Sequence, residues 1–91
     1  MSKFFLWNYE KNELLKHLRN ISFDQVLQAI ENGKILDILQ HPNKIKYPNQ
    51  RIFVIEIENY AYIVPFVEDE TEIFLKTIIP SREMTKKYIK K

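Results

Sequence analysis

The chain has 91 residues, room for one compact domain, 1–91, around one hydrophobic core. At 45% hydrophobic and 13% aromatic residues it carries enough apolar surface to fold, which excludes a disordered chain. It has no cysteine, which excludes a disulfide scaffold, a thiolate zinc site and a cysteine nucleophile, and its net charge of +2 points to no partner by itself.

The opening Phe4-Phe5-Leu6-Trp7 is too short an apolar run for a signal peptide, and no stretch approaches the roughly 18 apolar residues of a membrane helix. A soluble, cytoplasmic protein with no membrane partner is therefore expected. A first helix is predicted from Tyr9 to Leu18, with Asn8 as N-cap and Leu14, Leu15 and Leu18 as its apolar face. A second helix is better marked. Ser22 and Gln25 form a capping box, Ile21 and Val26 a hydrophobic staple, and Gly33 supplies the stop after Phe23, Val26, Leu27 and Ile30.

The remainder reads as sheet. Ile35 to Leu39 is a short strand, and His41 to Gln50, with two prolines and two asparagines, is loop. From Arg51, the residues Phe53, Ile55 and Ile57 share one face of a strand and Val54, Glu56 and Glu58 the other. Asn59 marks a tight turn into a strand from Tyr60 to Val67, in which Pro65 predicts an edge or a bulge because it cannot donate to a ladder. After the acidic tip Glu68-Asp69-Glu70 comes a strand from Glu72 to Ile79, ended by Pro80. Ser81 then caps a last helix that carries Met84 and Tyr88 four residues apart. The expected class is α+β: two N-terminal helices, a four-stranded, mostly antiparallel sheet and a C-terminal helix, with the helices on one sheet face.

Charge is distributed unevenly. Between Ile52 and Leu75 there is no Lys or Arg, while Glu56, Glu58, Glu68, Asp69, Glu70 and Glu72 carry −6. From Lys76 onward Lys76, Arg82, Lys86, Lys87, Lys90 and Lys91 stand against Glu83 alone, for a net +5. Such a basic end is either a solvated terminal helix or a phosphate-binding face.

Neither histidine has a carboxylate or a second histidine at ligand spacing, so no metal and no cofactor is expected. Ser22 and Ser81 are better explained as caps than as nucleophiles. What remains is a set of cations and phenols: Arg51 at a strand start, Lys76 in another strand, and Arg82 at the junction of the last strand and helix. RNA cleavage needs no metal when the 2′-hydroxyl attacks its own phosphodiester. Arginine and lysine then position the phosphate and stabilise its extra charge, and a histidine, glutamate or lysine removes the proton. The candidate bases are His17, His41 and Glu56, with none favoured.

Phe5-x-Trp7-Asn8-x-x-Lys11-Asn12, then Lys16-His17, then Ile21-Ser22-Phe23-Asp24 is an order of residues that resembles the opening of the BrnT family of toxins. Gln50-Arg51 before an apolar strand is similar to its Glu-Arg-aromatic strand start. Ile78-Ile79-Pro80-Ser81-Arg82-Glu83, running on to Tyr88, is similar to its close. Leu18-Arg19-Asn20 stands where members commonly have a Gly-His-like break. The resemblance implies a RelE-like α+β fold, a metal-independent endoribonuclease that cleaves RNA and so inhibits translation, and a ribbon-helix-helix antitoxin as partner. Promoter DNA would be bound only through the antitoxin complex. By position, Arg51 and Arg82 are implied for phosphate handling and His17 matches a family position. Lys76 is a choice from chemistry, and Lys86, Lys87 and Tyr88 are expected RNA contacts. The alternative is a non-catalytic module that pairs with the same kind of partner in a DNA-binding, autoregulatory complex.

Overall fold

The computed structural model describes residues 3–90, so Lys91 lies outside the described residues. The elements run β1 (Phe4–Trp7), α1 (Tyr9–Arg19), α2 (Phe23–Glu31), β2 (Ile35–Gln40), β3 (Gln50–Ile57), β4 (Tyr60–Glu68), β5 (Glu72–Leu75), β6 (Ile79–Pro80) and α3 (Arg82–Tyr88). The α+β class holds. The sheet differs from expectation, because six strands form it rather than four. Their order is β1-β5-β4-β3-β2, with β1 parallel to β5, and β6 pairs with β4 where β5 has ended. The Phe4–Trp7 run was read only as too short for a leader. It is long enough for a strand because β5 offers it a parallel edge, a non-local fact that no local pattern carries.

Local chemistry sets the helix ends. The Asn8 side chain accepts the Lys11 N–H, and the Ser22–Gln25 capping box closes in both directions. Asn20 ends α1 in the left-handed region at φ 54°. Asparagine tolerates that conformation better than most residues. Gly33 serves the same purpose after α2 at φ 74°.

The hairpin between β3 and β4 turns on Glu58 and Asn59, both at positive φ, the backbone signature of a two-residue type I′ turn. Pro65 lies in an interior strand rather than on an edge. Its carbonyl accepts the Lys76 N–H, and the stretch Lys76–Ile78 between β5 and β6 runs beside it, so the missing donor falls where the neighbouring ladder breaks.

The core sits between α1, α2 and one sheet face, which we term face A. Leu15, Phe23 and Val26 meet Phe53, Ile55, Val64, Phe66 and Leu75 there, and Trp7 stacks on Phe23 with ring centroids 5.7 Å apart. Phe23, Phe66, Ile55 and Leu75 are fully buried, each contributing about 1.5–3 kcal/mol. Of the apolar face expected for α1 only Leu15 is buried. Leu14 and Leu18 are exposed, and the inward position next to Leu15 is taken by Asn12. The Asn12 side chain accepts the Phe23 N–H at 2.7 Å and donates to Asp24, binding α1 to the start of α2.

The third helix does not join the other two, contrary to expectation. Val54 and Ala61 point to the opposite face, face B, and both are fully buried. They are covered by α3, whose buried Thr85 accepts the Ala61 N–H and donates to the Ser81 carbonyl. A sheet buried on both faces has no polar face to expose over β3, which explains the run of buried residues Phe53-Val54-Ile55.

Candidate nucleic-acid interface

On face B, α3 is fixed at two points of its inner side. Thr85 is bonded to β4 as above, and one turn on the Tyr88 hydroxyl donates to Asp37 of β2 at 2.5 Å. With those positions turned inward, Arg82, Lys86, Lys87 and Lys90 project to solvent, and none is in an ion pair among the described residues. Arg82, Lys86 and Lys90 follow at intervals of four along the helix and its last turn, so they line one stripe. Lys87 lies over the Tyr88 ring, 5.4 Å from its centroid. Tyr88 is thus an anchor: its hydroxyl is engaged and one ring face is covered. Lys76 continues the β5 register past Leu75 onto the same face and is also exposed.

Glu56 joins this set. It pairs with Ala61 in the β3–β4 ladder, and the Ala61 carbonyl accepts the Ser81 N–H, so Glu56 and Arg82 both neighbour one point of β4. The Glu56 side chain is half-buried and, by register, is directed to face B. It also borders a shallow depression of about 260 Å³ at the edge next to α2, lined by Gln25, Gln28, Asn32 and Lys34, to which α3 contributes no residue. Of the three candidate bases, Glu56 alone shares a face with Arg82.

The other expected residues lie elsewhere. Arg51 shares face A with Phe53 and Phe66, stacks over the Phe66 ring and is ion-paired with Glu68, which also binds Lys3 at 3.0 Å. Burial pushes the Glu68 carboxyl up, and the hydrogen bonds from Lys3 and Arg51 outweigh it, so the net position is below the ordinary glutamate range. A buttressed arginine of this kind offers little free valence to a phosphate. His17 lies exposed on α1, beyond face A. His41 packs against Tyr47 in the β2–β3 loop, with centroids 4.4 Å apart and the rings tilted by 44°. Arg51 and Arg82, paired by the family resemblance, therefore stand on opposite faces of the sheet.

Two features are not assigned from sequence. Lys90, counted there only within the basic end, extends the α3 stripe. Lys44 and Lys46 of the β2–β3 loop stand in the acid-free stretch from Ile38 to Ile55, which is the signal for them. Among the described residues no three His, Asp or Glu side chains converge as metal ligands, and no helix is long and apolar enough to cross a membrane. Comparison with protein-family models, with curated proteins and with solved structures finds no match in any of the three.

Proposed function

We propose that this chain is a toxin of the BrnT type, a metal-independent endoribonuclease that engages RNA through the face of the sheet covered by α3. The observation that carries this reading is the placement of exposed, unpaired cations, Arg82, Lys86 and Lys76, on the sheet face to which the register also directs Glu56. In the reaction, Glu56 takes the proton of a 2′-hydroxyl and the freed oxygen attacks the adjacent phosphorus. The bond from phosphorus to the 5′-oxygen breaks, and a proton delivered by Lys86 or water completes the 5′-hydroxyl. A 2′,3′-cyclic phosphate remains on the other fragment. Arg82 holds the phosphate and offsets the charge that builds on its oxygens, while Lys76, four ladder positions away, serves a neighbouring phosphate of the strand. Arg51, held by Glu68, supports the fold in this scheme and His17 has no part in it.

Induced expression without an antitoxin in a bacterial host tests the proposal, with wild type beside Arg82→Ala and Glu56→Gln. The expected result is growth arrest and new RNA ends, 5′-hydroxyl on one side and cyclic phosphate on the other, for wild type only. A second reading has one observation in its favour, the separation of Arg51 and His17 from Arg82. In that reading the chain is a non-catalytic module that pairs with a ribbon-helix-helix partner in a DNA-binding complex. Normal growth and intact RNA with all three soluble, folded proteins would establish the second reading over the first.

A further inference from the structure

The β2–β3 loop is built to hold one side chain out. The His41 N–H bonds the Gln50 carbonyl across its base, and the Asn43 N–H bonds His41 Nδ1 at 3.0 Å. The Asn43 side chain then accepts the Lys46 N–H and its carbonyl the Tyr47 N–H, both at 3.0 Å. The rings of His41 and Tyr47 meet at a tilt, with the Lys46 ammonium 5.4 Å from the Tyr47 centroid. On this frame Ile45 is 96% exposed, the most exposed large apolar residue among the described ones, and it stands between Lys44 and Lys46. A branched aliphatic side chain, fully hydrated on an ordered loop, is a poor choice for solvent and a good anchor for a protein surface. Nucleic acid is the weaker match, because Tyr47 is already contacted by His41 and Lys46 and Ile45 offers a phosphate nothing.

The complementary surface is at the same end of the same molecule. A depression of about 350 Å³ opens at this end of the sheet, lined by Val67 and Phe74 of face B, by Asp69 and Glu72, and by Glu68, which is already paired with Lys3 and Arg51. Phe74 is 37% exposed, and Leu6, its partner in the β1–β5 ladder, is 40% exposed. Asn49, at the base of the loop, forms another part of the rim. Loop and depression are therefore adjacent, yet the exposure of Ile45 means that the loop does not fill its own molecule's depression. Apolar floor and acidic rim mirror an apolar tip between two ammonium groups.

We infer that this end of the sheet is a self-complementary interface, in which the Lys44-Ile45-Lys46 tip of one molecule enters the depression lined by Val67, Asp69, Glu72 and Phe74 of a second copy. A two-fold axis makes the contact reciprocal, so each anchor counts twice and no open surface is left to propagate a chain. The contact is small, so the dimer is weak and forms at high protein concentration. It leaves α3 uncovered and does not depend on the RNA-cleaving reading.

Sedimentation equilibrium of the full chain, from about 10 to about 500 µM, reads the association directly, in the range expected of a small interface. Wild type is expected to show a monomer–dimer equilibrium that weakens about tenfold or more between low and high salt, as charge pairs on a rim do. Ile45→Asp is expected to be monomeric throughout. Lys44→Glu with Lys46→Glu, and separately Glu72→Lys, are each expected to lose association. An equimolar mixture of those two proteins is expected to regain a dimer, because the acidic loop then meets a rim that has exchanged a carboxylate for an ammonium and the unaltered basic loop meets an unaltered acidic rim. Circular dichroism identical to wild type for every variant keeps unfolding out of the comparison. A wild type that stays monomeric at the highest concentration overturns the inference, as does a dimer that Ile45→Asp leaves intact. If wild type is monomeric and the loop lysine variants lose RNA affinity instead, the loop is a nucleic-acid contact and the inference fails.

Discussion

The Tyr88 hydroxyl and the Asp37 carboxylate meet at 2.5 Å across 51 residues of chain, joining the C-terminal helix to an edge strand. Asp37 is in place because the β2–β3 register shifts between Ile35 and Asp37, a bulge that re-aims the side chain toward α3. The bond protects both protonation states. It holds Asp37 below the ordinary aspartate value of 3.8, assisted by the Ile38 N–H, and it holds Tyr88 above 10.0, assisted by desolvation. Because the acid is depressed, its contribution is full above pH 3.8 and is lost as pH falls through the native value. Because the phenol is raised, its contribution is full below pH 10.0 and is lost as pH rises through the native value. Tyr88→Phe is therefore expected to melt below wild type at neutral pH. The gap closes toward strong acid and strong alkali in thermal scans, and an unchanging gap would remove the bond as its cause.

Asn12 is the buried polar group with the most to lose. At 4% exposure its side chain satisfies the Phe23 N–H and holds Asp24, and no water replaces those bonds without opening the α1–α2 contact. Asn12→Ala leaves the Phe23 donor unpaired and is expected to cost about 1–3 kcal/mol in urea denaturation. Asn12→Asp keeps the acceptor but sets a charge against Asp24, so its cost is expected to shrink as both carboxyls are protonated at low pH. An Asn12→Ala protein as stable as wild type would assign the α1–α2 junction to apolar packing alone.

What could be read in advance follows from how local each cause is. The caps at Asn8, Ser22 and Ser81 act within three residues, and all three were legible. The alternation in Phe53–Ile57 fixed a strand and its two faces, since the period of a strand is local too. The partner of Phe4–Trp7 is residues 72–75, and nothing near Phe4 signals a parallel edge that far away. The same holds for α3. Its sequence marks a capped helix, but the side of the sheet it covers is decided by Val54 and Ala61, two small residues that leave room for it. The candidate site is the least legible part, because the resemblance implies Arg51 and Arg82 together while strand parity puts them on opposite faces. Glu56 is one candidate base of three, and only the β3–β4 register places it on the face that carries Arg82, with Ala61 between Glu56 and Ser81.

The β3–β4 turn carries a correctable strain. A type I′ turn requires positive φ at both central positions, and Glu58 sits there at 51° with a side chain that makes no hydrogen bond to its own backbone in compensation. Asparagine accepts this conformation more readily, so Glu58→Asn is expected to stabilise the chain by about 0.5–1 kcal/mol. Glu58→Val, β-branched at the same φ, is expected to destabilise it by at least as much. Chemical denaturation of the two variants beside wild type measures both signs in one series.

On the proposed RNA-binding function, the placement of cations predicts how affinity depends on salt. Each phosphate neutralised on a single strand contributes about −0.7 to the slope of log affinity against log salt. If α3 supplies the contacts, Lys86→Ala with Lys90→Ala removes two of them and flattens the slope by about 1.4. Arg51→Gln is expected to leave the slope where it was, because its guanidinium is committed to Glu68 on the other face. Fluorescence anisotropy with a short single-stranded RNA, titrated at several salt concentrations, measures each slope. A slope that flattens for Arg51→Gln and not for the α3 variant would move the interface to face A. Arg51 would then have to leave Glu68 on binding, and the ion pair would become a gate rather than a brace.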